Sequence, residues 1–149
     1  MWEAVRLPKY ISERFIGFSL PLDNEIALIS YEAIHIVDIS SGEIVVNDNS
    51  VPEGGELFDK SKNILSYIDK TYTIYGLFGG EPILHSPKGE ELLIENEELI
   101  IKVQEKTGQI SFQFHYEDLS GDWCFGTFSK DGKYVLLGLP YDFYAFIRV

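Results

Sequence analysis

Ile26-Ala27-Leu28-Ile29-Ser30-Tyr31-Glu32-Ala33-Ile34-His35-Ile36-Val37-Asp38-Ile39 holds two apolar runs separated by a short polar interruption. In the second run apolar and polar residues alternate, as they must when one face of a strand is buried and the other wet. Ser40-Ser41-Gly42-Glu43 then reads as a turn. The same grammar recurs along the chain. Ile64-Leu65-Ser66-Tyr67-Ile68 is followed by Tyr72-Thr73-Ile74-Tyr75 across Asp69-Lys70. Leu92-Leu93-Ile94 is followed by Leu99-Ile100-Ile101-Lys102-Val103 across Glu95-Asn96-Glu97-Glu98. Tyr134-Val135-Leu136-Leu137 is followed by Phe143-Tyr144-Ala145-Phe146-Ile147 across a turn with Pro140 and Asp142. Each pair predicts an antiparallel hairpin. Apolar residues nowhere keep a helical period beyond about two turns. The expected fold is all-β, one domain over 1–149.

The hairpins read as copies. A gap-free shift that lays Pro21 on Pro87 also lays Glu25 on Glu91, Glu32 on Glu98, Ile34 on Ile100, Val37 on Val103, Gly42 on Gly108 and Ile44 on Ile110. A second shift lays the run from Phe58 to Leu65 on the run from Phe128 to Val135. Units therefore open near Phe18, Phe58, Ser86 and Phe128, and three close on Ser41-Gly42-Glu43, Gly79-Gly80-Glu81 and Thr107-Gly108-Gln109. A glycine at such a turn accepts positive φ without steric cost. Phe128-Ser129-Lys130-Asp131-Gly132-Lys133-Tyr134-Val135 resembles the opening of a blade in WD-repeat and related propellers, and Ile36-Val37-Asp38-Ile39-Ser40-Ser41-Gly42-Glu43 resembles the end of one. The resemblance implies repeated antiparallel meanders side by side, with partner binding rather than catalysis as the usual role. The architecture expected is either propeller-like with about four short blades or an open curled meander or sandwich.

At 149 residues, 45% apolar and 14% aromatic, the chain can furnish a core rich in rings, which pack well on pleated sheets. The 24 acidic residues outweigh the 12 basic ones and leave a formal charge of −12, so nucleic acid and anionic membrane surfaces are not expected as partners. Cys124 is the only cysteine, which excludes an internal disulfide and a multi-thiolate zinc site. Glu3, Arg6 and Lys9 interrupt the N-terminal stretch where a signal peptide needs apolar residues, and a cytosolic, soluble protein is expected.

Charge is distributed unevenly. Asp23, Glu25, Glu32, Asp38, Glu43, Asp48, Glu53, Glu56 and Asp59 follow one another with no intervening Lys or Arg, and Glu90, Glu91, Glu95, Glu97 and Glu98 form a second basic-free stretch. Such a surface maintains solubility, and it also suits docking of a basic protein. The residues expected to contact that partner are Asp48, Glu53, Glu95, Glu97, Glu98 and Tyr141. Asn47 to Gly55 reads as an exposed loop between the first two units because Pro52 and Gly54-Gly55 interrupt strand pairing.

Catalytic and metal motifs are weak. The Asn47-Asp48-Asn49 run lacks the remaining spacing of a calcium loop, and His35, His85 and His115 are scattered. Cys124 lies between Trp123 and Phe125, so an inert buried thiol is the simpler reading than a dyad with His115 and Asp118 or Asp122. The rings of Tyr141, Phe143 and Tyr144 read as core with a possible binding role. No cofactor or metal is expected. The sequence thus points to a non-catalytic interaction module with an acidic face, an immunity or antitoxin protein against a basic toxin being one form. The competing class is a small β-domain hydrolase or ligand-binding protein with a carboxylate-lined pocket. Oligomeric state is left open.

Overall fold

Tight turns divide the chain into short strands. Asp23 and Asn24, with φ of 53° and 66°, make a two-residue link in which Leu22 and Glu25 exchange both backbone hydrogen bonds. This is the type I′ turn that suits the right-handed twist of a hairpin. Ile68 and Asp69 make a second such link at 46° and 59°, between Tyr67 and Lys70. The structure is a computed structural model describing residues 1–7, 14–49, 57–117 and 122–149. Within them lie β1 (Trp2–Ala4), β2 (Phe15–Ser19), β3 (Glu25–Ser30), β4 (Ile34–Asp38), β5 (Glu43–Asp48), β6 (Phe58–Asp59), β7 (Ile64–Tyr67), β8 (Lys70–Gly76), β9 (Glu91–Glu95), β10 (Ile100–Gln104), β11 (Ile110–His115), β12 (Phe125–Phe128), β13 (Tyr134–Leu139) and β14 (Asp142–Arg148). The protein is all-β. No helix of the described residues is long and apolar enough to cross a membrane.

Three antiparallel sheets result, ordered β5-β4-β3-β2-β8-β7-β6, β1-β14-β13-β12 and β11-β10-β9. They are built from four consecutive meanders: β2 to β5, β6 to β8, β9 to β11 and β12 to β14, the last extended by β1. The copies agree in ladder register. Ile26 faces Val37 and Leu92 faces Val103, while Phe58 faces Leu65 and Phe128 faces Val135. Even the tight turns match. Ser61 Oγ donates to Asp59 at 2.7 Å, and at the equivalent positions Ser129 Oγ donates to Asp131 at 2.7 Å, with hydroxyl and carboxylate exchanged.

Cores form between meanders. The first and second enclose Ile16, Ile29, Ile34, Phe58, Leu65 and Tyr67; the first and fourth enclose Phe18, Leu28, Val37, Tyr134, Leu136 and Phe143. The third and fourth enclose Leu92, Ile101, Val103, Val135, Leu137 and Phe146. Residues of β13 therefore alternate between two cores, which is why the whole strand is buried. Each fully buried Leu or Ile contributes about 2 kcal/mol by removal from water. The first two meanders also share one sheet, because Gly17 of β2 pairs with Gly76 of β8. A β-carbon on Gly76 would stand 2.6 Å from the Ile16 carbonyl oxygen, so only glycine permits this seam.

Several sequence expectations shift by a residue or two. Glu95 ends β9 and Leu99 leaves the strand for the turn, at φ 57°. Lys70 and Asp142 start strands rather than sitting in turns. Asn47 and Asp48 belong to β5 rather than to a loop, since ladder pairing to His35 and Ile34 extends through them. Glu53, Glu56 and Asp118 lie outside the described residues, as does most of the expected loop before β6.

Candidate functional site

The sequence-selected carboxylates are placed on different sheets. Asp48 ends the edge strand β5, half-buried, and its Oδ2 accepts a hydrogen bond of 2.5 Å from the Tyr67 hydroxyl. Burial first, then that bond, pushes the Tyr67 hydroxyl up to about 12. Glu95 is half-buried and pairs with Lys102 at 3.0 Å, so its charge is partly compensated. Glu97 and Glu98 stand exposed in the turn between β9 and β10. That turn is pinned from behind: the Tyr116 hydroxyl donates to Asn96 Oδ1 at 3.2 Å and the Tyr116 amide to the Leu99 carbonyl at 2.9 Å. The two carboxylates are thereby presented outward on a held loop.

Carboxylates with displaced titration are structural. Asp38, Asp59 and Asp131 cap turns by accepting hydroxyl and amide hydrogens, which holds each below its ordinary value. Glu90, buried, takes both Arg148 terminal nitrogens, at 3.1 and 2.5 Å, and the Ser86 hydroxyl at 2.7 Å, and is likewise held low. Arg148 in turn lies 4.3 Å from the Trp2 ring centre. A general acid needs a carboxyl raised toward neutrality, the opposite displacement. His115 ends β11 and Cys124 precedes β12, strands of different sheets, so they do not face each other across one hairpin. His35 is buried in β4. Among the described residues no group of three or more His, Cys, Asp or Glu is placed to hold a metal ion.

A concave feature lies elsewhere. A cleft of about 950 Å³ opens where all three sheets meet, lined by the chain from Ala4 to Leu7, by Phe15 and Leu28, by Phe114, and by Tyr141 through Phe146. Two links assemble it. The Phe15 amide donates to the Pro140 carbonyl at 2.6 Å, which sets β2 beside the turn bearing Tyr141. Phe114 packs at a tilt against Tyr144 at 4.8 Å and Phe146 at 4.9 Å between ring centres, which sets β11 over β14. The floor is aromatic and the rim polar. Tyr141 is 47% exposed with the Arg14 guanidinium 5.6 Å from its ring centre, and Arg14 is ion-paired to Asp122. The Tyr144 hydroxyl donates to Asp142 Oδ2 at 2.7 Å, and burial, then that bond, raises its titration.

Of the residues expected to contact a partner, Tyr141 alone is in the cleft lining, together with the neighbouring rings of Phe143 and Tyr144. Phe143 joins the buried core and Tyr144 is shared between floor and rim, so neither a pure core nor a pure binding reading of these rings holds. Arg6, Phe15, Leu28 and Phe114 carried no local signal, because four elements distant in sequence supply them. No family model matches the chain, and no curated protein matches it.

Proposed function

We propose that this is a non-catalytic interaction module whose acidic surface docks a basic protein, an inhibitor of immunity or antitoxin type being its concrete form. The observation that supports this reading is the held turn of Glu97 and Glu98, two exposed carboxylates in a stretch without a basic residue, on a chain of net charge −12. A turn already fixed by Tyr116 loses little conformational entropy on binding, and clustered negative charge accelerates encounter with a cation. The competing reading of a carboxylate-lined catalytic pocket finds less support, since among the described residues Asp142 is the one carboxylate lining the cleft and it is engaged by Tyr144.

The test immobilises the full chain, recovers cationic proteins retained from the native cell, and measures association of each purified candidate with wild type and with E97K/E98K. The expected result is an on-rate lowered about tenfold in the double variant, with a shallower dependence on ionic strength. An on-rate equal to that of wild type at low salt, or no cationic protein retained, overturns the proposal.

A further inference from the structure

The strand β1 borders the cleft, and on the side away from β14 it meets no other described strand, the Arg6 carbonyl just beyond it lying against Gly42. The Val5 amide donates to the Ala145 carbonyl and the Val149 amide to the Met1 carbonyl, each at 2.8 Å. In an antiparallel ladder alternate residues bond to one neighbour, so Met1, Glu3 and Val5 face β14 while the amide and carbonyl of Ala4 point the other way. Among the described strands β1 has β14 as its only neighbour. Ala4 thus presents a donor and an acceptor beside a floor of Phe15, Phe114, Phe143 and Phe146.

Charge around this edge favours a cation. Glu3 lies on β1 itself, Asp142 lines the cleft and Glu117 acts on Tyr144, against Arg6 in the lining, while Arg14 is paired with Asp122 and Arg148 with Glu90. We infer that the cleft receives an extended segment of a basic protein, which adds to the edge of β1 at Ala4 and inserts one large apolar side chain between the phenylalanines, its flanking cations meeting Glu3, Glu117 and Asp142. Main-chain pairing supplies register and the ring pocket supplies the anchor, as in other strand-addition sites. This rests on the reading above of a basic partner and gives that partner a second contact, in the cleft, besides the one at the Glu97–Glu98 turn.

The test uses the isotope-labelled full chain and two capped synthetic peptides, lysine–valine–tryptophan–valine–lysine and the same with glutamates in place of lysines. Amide shifts are followed on titration into the millimolar range. The lysine peptide is expected to shift Ala4, Phe114 and Tyr144, the glutamate peptide to bind about tenfold more weakly. A4P removes an amide that β14 does not use, so the fold is retained while affinity for the lysine peptide falls about fivefold, and unaltered dispersion of the remaining amides verifies folding. Shifts confined to Glu97, Glu98 and their neighbours sink the cleft assignment and leave the acidic-turn reading standing. Absence of shifts anywhere with the lysine peptide overturns the cleft assignment, and the acidic-turn reading is then decided by the association experiment alone.

Discussion

The Tyr67 hydroxyl and the Asp48 carboxylate, 2.5 Å apart, join β7 to β5, the sixth and first strands of one seven-stranded sheet. Strands so far apart in sheet order touch only because the sheet curls on itself, with Val46 packed toward Phe58, Leu65 and Tyr67 inside the curl. The tyrosine is protonated in the fold up to about 12, against an ordinary 10.0. A folded value above the unfolded one means that its contribution is complete below pH 10 and is lost as pH rises through about 12. Y67F removes this share of the alkaline loss and takes the Tyr67 hydroxyl from Asp48, which costs about 1 kcal/mol at neutral pH. Urea unfolding at pH 7 and across the alkaline range checks both; an alkaline slope unchanged in Y67F contradicts the assignment.

The pairing of Glu90 with Arg148 ties the segment before β9 to the last strand and, through Trp2, to the first. Glu90 is held below its ordinary 4.5, first by Arg148 and then against burial by Ser86. A lowered folded value gives stability that is present above pH 4.5 and disappears as pH falls through the folded value. E90Q leaves the half-buried Arg148 guanidinium without its carboxylate, though still donating to the Gly132 carbonyl, and a loss of about 2 kcal/mol is expected at pH 7, with a flatter acid limb. Chemical denaturation of wild type and variant from neutral pH to strong acid measures it. Equal midpoints at pH 7 would show the pair to be of no consequence.

Gly42 and Gly108 occupy equivalent turns at φ of 77° and 94°, yet their surroundings differ. A β-carbon on Gly42 would overlap the Arg6 carbonyl oxygen, whereas at Gly108 nothing lies within 4 Å. G108A therefore carries the left-handed backbone cost alone, about 1 kcal/mol. G42A must also push the Ala4 to Leu7 segment away, for about 3 kcal/mol in all. Comparable losses in thermal unfolding of the two variants would mean that this segment is not held against the turn.

Ile68 is β-branched and 65% exposed at φ 46° in a two-residue hairpin turn, where asparagine or glycine is preferred. The matching turn at Asp23 and Asn24 already has suitable residues. I68N is expected to stabilise by about 1 kcal/mol, read as a raised melting temperature. A lowered one would show that the side chain of Ile68 makes a contact worth more than the backbone strain.

Local chemistry was enough to reveal the hairpins. Alternation marked β4 as a strand with one wet face, but it is buried on both, His35 included, because it lies between two cores; the shift laying Glu25 on Glu91 and Asp38 on Gln104 still carries one ladder onto the other residue for residue. It fails in the next hairpin. Asp38 faces Glu43, but Gln104 faces Ile110 rather than Gln109, because the third meander has one more residue in that turn. What no local pattern encodes is which hairpin lies against which. Gly17 against Gly76, Tyr67 against Asp48 and Arg148 against Glu90 are chosen by burial of facing surfaces contributed from distant parts of the chain, and the cleft exists only where three sheets so assembled leave their edges unfilled. Strand and turn follow from the spacing of neighbours, which the chain carries in one dimension; seams and concavities follow from shape complementarity between faces, which has no meaning until the chain has folded.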